Sequence, residues 1–169
     1  MIKFKVFGFG SGEETTPASP APKAAVPAAP ADTEATQANV EGKRVLIVDD
    51  DPVFLKATAM GLQSAGFQVR TATESSEAIA ALGEQPADAV VIDINFQPDV
   101  GHGGMGSWDG FQLISWLRGN PAARGARFIV VSNSDSAADR QRAKQLGAVA
   151  YFQKPLDLAR LLAVVNGTN

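Results

Sequence analysis

Short apolar runs in this chain end in polar groups that together suit the chemistry of a charged ligand. Those groups are Asp49, Asp50 and Asp51, then Asp93, Ser132 and Lys154. The carboxyl ends of parallel strands meet at one rim of a sheet, so these side chains are expected to lie together. Two carboxylates about 4 Å apart repel by about 4 kcal/mol at an effective dielectric of about 20, so the cluster requires a cation. Oxygen ligands without any cysteine favour Mg²⁺.

A lysine and a hydroxyl complete the set. An ammonium acts as a point charge and a hydroxyl as a donor toward phosphoryl oxygens, so the acids, Ser132 and Lys154 together predict a phosphoryl-transfer site. Each residue alone also has an ordinary structural interpretation. Asp51 precedes Pro52 and is predicted to cap a helix, Ser132 is compatible with a plain buried hydroxyl, and Lys154 simply precedes a proline. All these residues follow successive predicted strands, and this common placement favours a phosphoryl-transfer site over the separate structural interpretations.

Five strand-like runs alternate with five helix-like stretches. Continuous β-branched runs indicate strands that are buried on both faces. The strands are predicted at 44–48, 67–71, 89–92, 127–131 and 149–153, and the helices from 52 to about 65 and at 75–82, 111–118, 137–146 and 156–165. The alternation and the short connections predict an α/β fold with a doubly wound five-stranded parallel sheet over residues 43–166.

Composition narrows the class of protein. The chain has 169 residues, 45% of them hydrophobic, a formal charge of −3 and no cysteine. That size excludes a large multidomain enzyme, and the charge does not suggest attraction to nucleic acid or to an anionic membrane. No apolar run reaches the roughly 18 residues of a membrane span. We therefore expect a cytoplasmic protein with no nucleic-acid partner and no membrane span.

The amino-terminal quarter differs from the rest. Residues 1–10 alternate lysines with apolar residues, and residues 11–42 are rich in alanine and proline. The second segment has too little apolar surface to offset chain entropy and is predicted to be a disordered tether. The first is compatible with a docking arm that adds to a partner's sheet edge, or with a frayed or locally folded terminus.

Five short motifs lie between residues 48 and 155: Val48-Asp49-Asp50-Asp51-Pro52, Val90-Val-Ile-Asp93, Asp109-Gly110-Phe111, Val131-Ser132 and Tyr151-Phe-Gln-Lys154-Pro155. Together they resemble the receiver domain of bacterial response regulators. The resemblance covers about residues 43 to 165. It implies the flavodoxin-like, or CheY-like, strand order 2-1-3-4-5 and a signalling phosphoacceptor that is not an enzyme in its own right.

The resemblance also implies a role for each site residue. Asp93 would be the phosphoacceptor, and Asp49, Asp50 and Asp93 would hold Mg²⁺ with the backbone carbonyl of Asn95. Ser132 and Lys154 would bind the phosphoryl oxygens. Ser132 and Tyr151 would form the switch that remodels the face made by helix four, strand five and helix five. The peptide bond before Pro155 is typically cis in the family.

The partners also follow from the resemblance. They would be a sensor histidine kinase or phosphotransfer protein and a downstream protein that binds after phosphorylation. Because no output segment follows residue 166, a stand-alone, single-domain response regulator is expected. The cognate kinase, the pathway, the target, the phosphoryl lifetime and the oligomeric state are not predicted.

One departure from the family lies between Asp93 and Asp109, where an inserted loop occupies about residues 96–108. Its G-x-G-x-x-G match at 101–106 is not interpreted as a dinucleotide site, because no helix follows it directly. His102 is interpreted as a solvated loop residue and Trp108 as an anchor onto helix three. Asn95 and Ser134 occupy positions that tune the phosphoryl lifetime in the family.

Two other functions compete with phosphoacceptor signalling. A pseudo-receiver scaffold would ignore phosphorylation, and the enlarged loop keeps that alternative open. An aspartate-nucleophile phosphohydrolase of the haloacid dehalogenase type needs a second carboxylate two residues after the nucleophile, where this chain has Asn95.

Overall fold

The computed structural model describes residues 42–95 and 108–168. Its strands are β1 (Arg44–Val48), β2 (Gln68–Ala72), β3 (Ala89–Asp93), β4 (Arg127–Ser132) and β5 (Ala150–Gln153). Its helices are α1 (Pro52–Ser64), α2 (Ser75–Glu84), α3 (Gly110–Gly119), α4 (Ala137–Gln145) and α5 (Leu158–Asn166), with a short 3-10 helix at Pro121–Ala123. No helix in this part of the chain has the length and apolar character needed to cross a bilayer.

All five strands are parallel and lie in the order β2-β1-β3-β4-β5. The predicted doubly wound fold and its strand order are therefore confirmed. In the register between the central strands, Val48 of β1 lies beside Ile92 of β3. The residues that follow these two positions are Asp49 and Asp93, so the sheet itself brings the predicted acids to one rim.

Two hydrophobic clusters cover the two faces of the sheet. Alternate strand residues such as Val45 and Ile47 pack with Leu55 and Leu62 of α1 and with α5. Their neighbours, including Leu46, pack against α2 and α3 on the opposite face. Strand side chains alternate between faces, so a run that is apolar at every position must be covered by helices on both sides. The site is thus carried on the best-buried part of the fold.

The observed boundaries differ from the predicted ones by one or two residues. The last helix was predicted to begin at 156 but begins at Leu158, because the Asp157 side chain caps it by accepting from the backbone N–H groups of Ala159 and Arg160. The predicted cap at Asp51 is confirmed, since it accepts from the Val53 backbone N–H at 2.8 Å. The segments 1–10 and 11–41 and the insertion at 96–107 lie outside the described residues.

Candidate acidic site at the carboxyl rim

Three carboxylates converge at the carboxyl ends of β1 and β3. Asp49 is completely buried and Asp93 is 3% exposed, whereas Asp50 is exposed. One carboxylate oxygen from each residue lies within 4.8 Å of the other two. The acidic cluster that the sequence predicted is therefore formed.

The ammonium of Lys154 supplies the positive charge among these acids. Its Nζ lies 2.7 Å from Asp49 Oδ2 and 2.8 Å from Asp93 Oδ2. Lys154 follows β5 and is aligned by its own backbone N–H, which donates to the Ser132 carbonyl at 2.8 Å. The next peptide bond, between Lys154 and Pro155, is cis.

The electrostatics of this trio follow from burial and proximity. Burial raises the pKa of the Asp49 carboxyl, and the nearby Lys154 and the Asp51 backbone N–H only partly offset it. Burial by itself would lower the pKa of Lys154, but its contacts with Asp49 and Asp93 outweigh that effect and raise it. Lys154 therefore remains an ammonium at neutral pH.

An aromatic ring also contacts this ammonium. The Phe54 ring, in the first turn of α1, lies 4.3 Å from Lys154 Nζ, which is cation–π distance. The α1 helix can begin this close to the site because the Asp51 backbone N–H donates to Asp49 Oδ1 at 3.0 Å and Pro52 follows at once. Phe54 was not among the predicted site residues. Its only signal was an aromatic residue three positions after the acidic triplet.

The Ser132 hydroxyl lies in a hydrogen-bonded chain that begins at Asp93. Ser132 is completely buried at the end of β4. Its Oγ accepts from the side-chain amide of Asn95 at 2.8 Å and from the Ser134 backbone N–H at 3.0 Å. The Asn95 backbone N–H donates to Asp93 Oδ1 at 2.7 Å. For Asn95, only the backbone carbonyl was predicted to take part in the site, and this side-chain contact was not.

Tyr151 lies at the far end of the same chain of contacts. Its hydroxyl donates to the Ser134 carbonyl at 2.8 Å. The Arg140 guanidinium lies 4.7 Å from the ring centroid and is itself held by Asp135 through a 2.7 Å contact from Nε. Tyr151 is half-buried, and through these two contacts it joins the β4–α4 loop to α4. Arg140 was not predicted, because its contact with Tyr151 depends on how α4 packs.

The start of α3 closes the rim behind Asp93. Asp109 caps this helix by accepting from the Gln112 backbone N–H, and the Gln112 side chain reciprocally accepts from the Asp109 backbone N–H. A Cβ at Gly110 would lie 2.3 Å from the Asp93 carbonyl oxygen and 2.6 Å from Ile94 Cα. Glycine is thus required for this close approach. Trp108 packs against Trp116 of α3 at 5.8 Å between ring centroids, as the anchor interpretation predicted. His102 lies outside the described residues.

The acidic cluster fits a divalent metal ion. All three side chains offer carboxylate oxygens, the ligands that hard divalent cations take. Asp49 Oδ2 is buried and lies 2.7 Å from the Lys154 ammonium, so this oxygen already faces a positive charge. The exposed Asp50 leaves the cluster open on one side.

Comparison with known proteins agrees with this geometry. The family model of the response regulator receiver domain matches residues 45–166. The transcriptional regulatory protein PrrA of Mycobacterium bovis is 36% identical over 126 residues, which make up 75% of this chain and 49% of that protein. This chain spans about half the length of PrrA and several other curated relatives that it matches.

Two solved structures show the same likeness. A response regulator protein from Burkholderia pseudomallei, solved with a phosphorylated aspartic acid, calcium ion and citrate, is 28% identical with a TM-score of 0.62, over 73% of this chain and 66% of that one. A CheY-like receiver domain protein from Methanospirillum hungatei is 27% identical with a TM-score of 0.63, over 74% of this chain and 91% of that one.

Proposed function

Since the chain belongs to the response regulator receiver family, we propose that it is a phosphoacceptor that is phosphorylated on Asp93 by a sensor histidine kinase or phosphotransfer protein. The family consists of signalling proteins of two-component systems, and the curated relatives are regulators rather than enzymes. The observation that carries the proposal is the Lys154 ammonium, which contacts both Asp93 and Asp49 within 2.8 Å.

The phosphoryl transfer needs little beyond positioning and charge. A carboxylate oxygen of Asp93 attacks phosphorus in line, a new O–P bond forms, and the bond between phosphorus and the donor atom breaks with its electron pair on the donor. Lys154 stays protonated and neutralises charge on the phosphoryl oxygens. The Asn95 backbone N–H holds Asp93 Oδ1 in place at 2.7 Å and so limits rotation of the nucleophile.

The same cluster supports Mg²⁺ as the cofactor. Asp49, Asp50 and Asp93, with the backbone carbonyl of Asn95, would hold the ion. When bound, Mg²⁺ supplies positive charge to the transferred phosphoryl oxygens. The B. pseudomallei neighbour, which was solved with a calcium ion and a phosphorylated aspartic acid, supports the same kind of site here.

The hydrogen bonds of Ser132 and Tyr151 suggest how phosphorylation is transmitted. Phosphoryl oxygens on Asp93 would offer the Ser132 hydroxyl a stronger, charged acceptor. Movement of Ser132 toward Asp93 would break its contacts with Asn95 and the Ser134 backbone N–H. The Ser134 carbonyl, and with it the Tyr151 hydroxyl, would then shift. This is a two-state element that a local charge change can bias.

The proposed output is phosphorylation-dependent protein binding at the face made by α4, β5 and α5. This face contains both Tyr151 and Arg140. PrrA is named a transcriptional regulatory protein, but its match with this chain covers only 49% of its length. We propose that the receiver region itself contacts protein rather than nucleic acid and acts in the cytoplasm.

The test is incubation of the full chain with acetyl phosphate and Mg²⁺, followed by intact-mass spectrometry. We expect the gain of one phosphoryl group, its loss in Asp93→Asn, and an unchanged gain in Asp139→Asn, which alters a partly exposed carboxylate in the first turn of α4. A gain that survives in Asp93→Asn would overturn the assignment. No gain in the unchanged chain would instead favour a phosphorylation-independent scaffold.

A further inference from the structure

A second charged cavity lies at the opposite end of the sheet from the acidic site. Its volume is about 300 Å³, and it lies where β1, β3 and β4 begin and α5 ends. Its polar lining includes Lys43, Asp88, Arg124, Arg127 and Asn166. Four separate segments of the chain therefore contribute to one concave surface.

The lining carries an excess of positive charge. Asp88 is its single carboxylate, and that group already accepts from Arg44 through both the backbone N–H, at 2.8 Å, and Nε, at 3.4 Å. Among the described residues, no carboxylate pairs with Lys43, Arg124 or Arg127. Like charges around one cavity repel, so a bound anion would stabilise this arrangement.

Of the three cationic side chains in the lining, only Lys43 has a contact with another described residue that explains its position structurally. Lys43 Nζ donates to the Asn166 backbone carbonyl at 3.2 Å, at the carboxyl end of α5, where a cation is favourable. Within residues 42–95 and 108–168, the Arg127 side chain has no such acceptor, and its Nε is buried without a hydrogen-bond partner. A buried unpaired donor is costly, and native structures rarely keep one without a reason.

One glycine lines the cavity, and another lies beside one of its guanidinium groups. Gly125, in the lining, has φ +86°, and a Cβ there would meet nothing within 4 Å. Gly167 ends α5 with φ +87°, and Arg127 Nη1 lies 3.3 Å from the position that a Cβ on it would take. The Arg127 guanidinium thus lies close to Gly167, and Arg127 lines the cavity.

We propose that this cavity, formed by Lys43, Arg124, Arg127 and Asn166, binds a small phosphate-bearing anion. Guanidinium groups match phosphate oxygens in geometry and charge. The volume is at the small end of the range for ligand cavities, which suits a small molecule rather than a macromolecular surface. The site is separate from the acidic rim and does not depend on phosphorylation of Asp93.

Pyrophosphate is the probe for the test. It is titrated into the ¹⁵N-labelled full chain in EDTA, at constant ionic strength, while amide shifts are followed by NMR. EDTA removes the divalent ion that phosphate binding at the acidic rim would need. We expect saturable shifts centred on Gly125, Arg127 and Asn166, and the same affinity in Asp93→Asn.

Three variants decide the assignment. Arg124→Gln and Arg127→Gln should each weaken binding about tenfold, because each removes charge-assisted hydrogen bonds. Lys144→Gln, which removes an exposed cation from α4, should leave the affinity unchanged. Arg124 is exposed, and no carboxylate in the described part of the chain pairs with it, so its variant keeps the test valid should Arg127→Gln unfold. Non-saturating shifts, shifts centred on Asp49 and Asp93, or an affinity that neither arginine substitution lowers relative to the unchanged chain would overturn the proposal.

Discussion

At the carboxyl ends of β1 and β3, Asp49 and Asp93 are 0% and 3% exposed, whereas at the amino ends of the same strands the side chains of Arg44 and Asp88 are 34% and 45% exposed. The carboxyl rim holds its charges in low dielectric, where one lysine is in contact with both acids. The amino rim leaves its charges partly in water, where each pair is screened. One parallel sheet thus carries a tightly coupled acidic site at one end and a looser, mainly basic surface at the other.

The two ends of the sheet differ in how closely their charged side chains are connected to one another. At the carboxyl rim, Asp93 contacts Asn95 and Lys154, and the Asn95 side chain in turn contacts Ser132, so a change in one group must affect the others. At the amino rim, Arg44 contacts Asp88 alone among carboxylates of the described residues. We therefore expect substitutions at the first rim to have the larger consequences.

The largest expected effect is that of Lys154→Met. This change leaves two buried carboxylates without their counter-charge, and we expect the free energy of unfolding to fall by about 3 kcal/mol. Urea denaturation in EDTA measures it. Lys144→Met, which removes an exposed cation from α4, should change the value by less than about 0.5 kcal/mol. Equal losses in the two variants would contradict the coupling described for the carboxyl rim.

A second, smaller effect concerns the packing of that rim. Gly110→Ala places a Cβ against the Asp93 carbonyl oxygen and Ile94 Cα, backbone atoms that cannot rotate away, so we expect a loss of about 2 kcal/mol.

The matched control is Gly83→Ala in α2, where the new Cβ would meet nothing within 4 Å. Alanine is the better helix former, so this variant should gain about 0.5 kcal/mol. Thermal and urea unfolding of both variants give the comparison. If Gly110→Ala left the free energy of unfolding unchanged, the close approach of α3 to β3 would not require glycine.

The smallest effect is expected at the amino rim. Arg44→Gln removes a partly exposed ion pair with Asp88 but keeps the backbone N–H that also donates to that carboxylate. We expect a loss of no more than about 0.5 kcal/mol, which should shrink further as salt is added. Urea unfolding at low and high salt measures it. A loss near that of Lys154→Met would abolish the distinction between the two rims.

The helices and strands could be predicted because they depend on local patterns. Continuous apolar runs marked buried strands, and Asp51 before Pro52 marked the start of α1, where the cap is found. The order of the strands came from resemblance to a family rather than from periodicity. The acids, Ser132 and Lys154 were expected at one rim because each follows a strand, and the structure brings them there.

Contacts between segments were harder to predict. The Phe54 ring at Lys154, the Arg140 guanidinium over Tyr151 and the Asn95 amide on Ser132 all depend on how a helix or loop is turned against the sheet. The same holds for the basic cavity. Lys43, Arg124 and Arg127 are unremarkable in sequence, and only the path of the chain around the amino ends of the strands places them together.

By itself, the amino-acid sequence determined which residues form buried strands and which polar groups follow them, because burial and strand termination depend on neighbours along the chain. The tertiary structure alone decided which charges are paired and which are left over. Pairing depends on strand register, helix orientation and the local dielectric, and these arise only when segments far apart in sequence pack against one another.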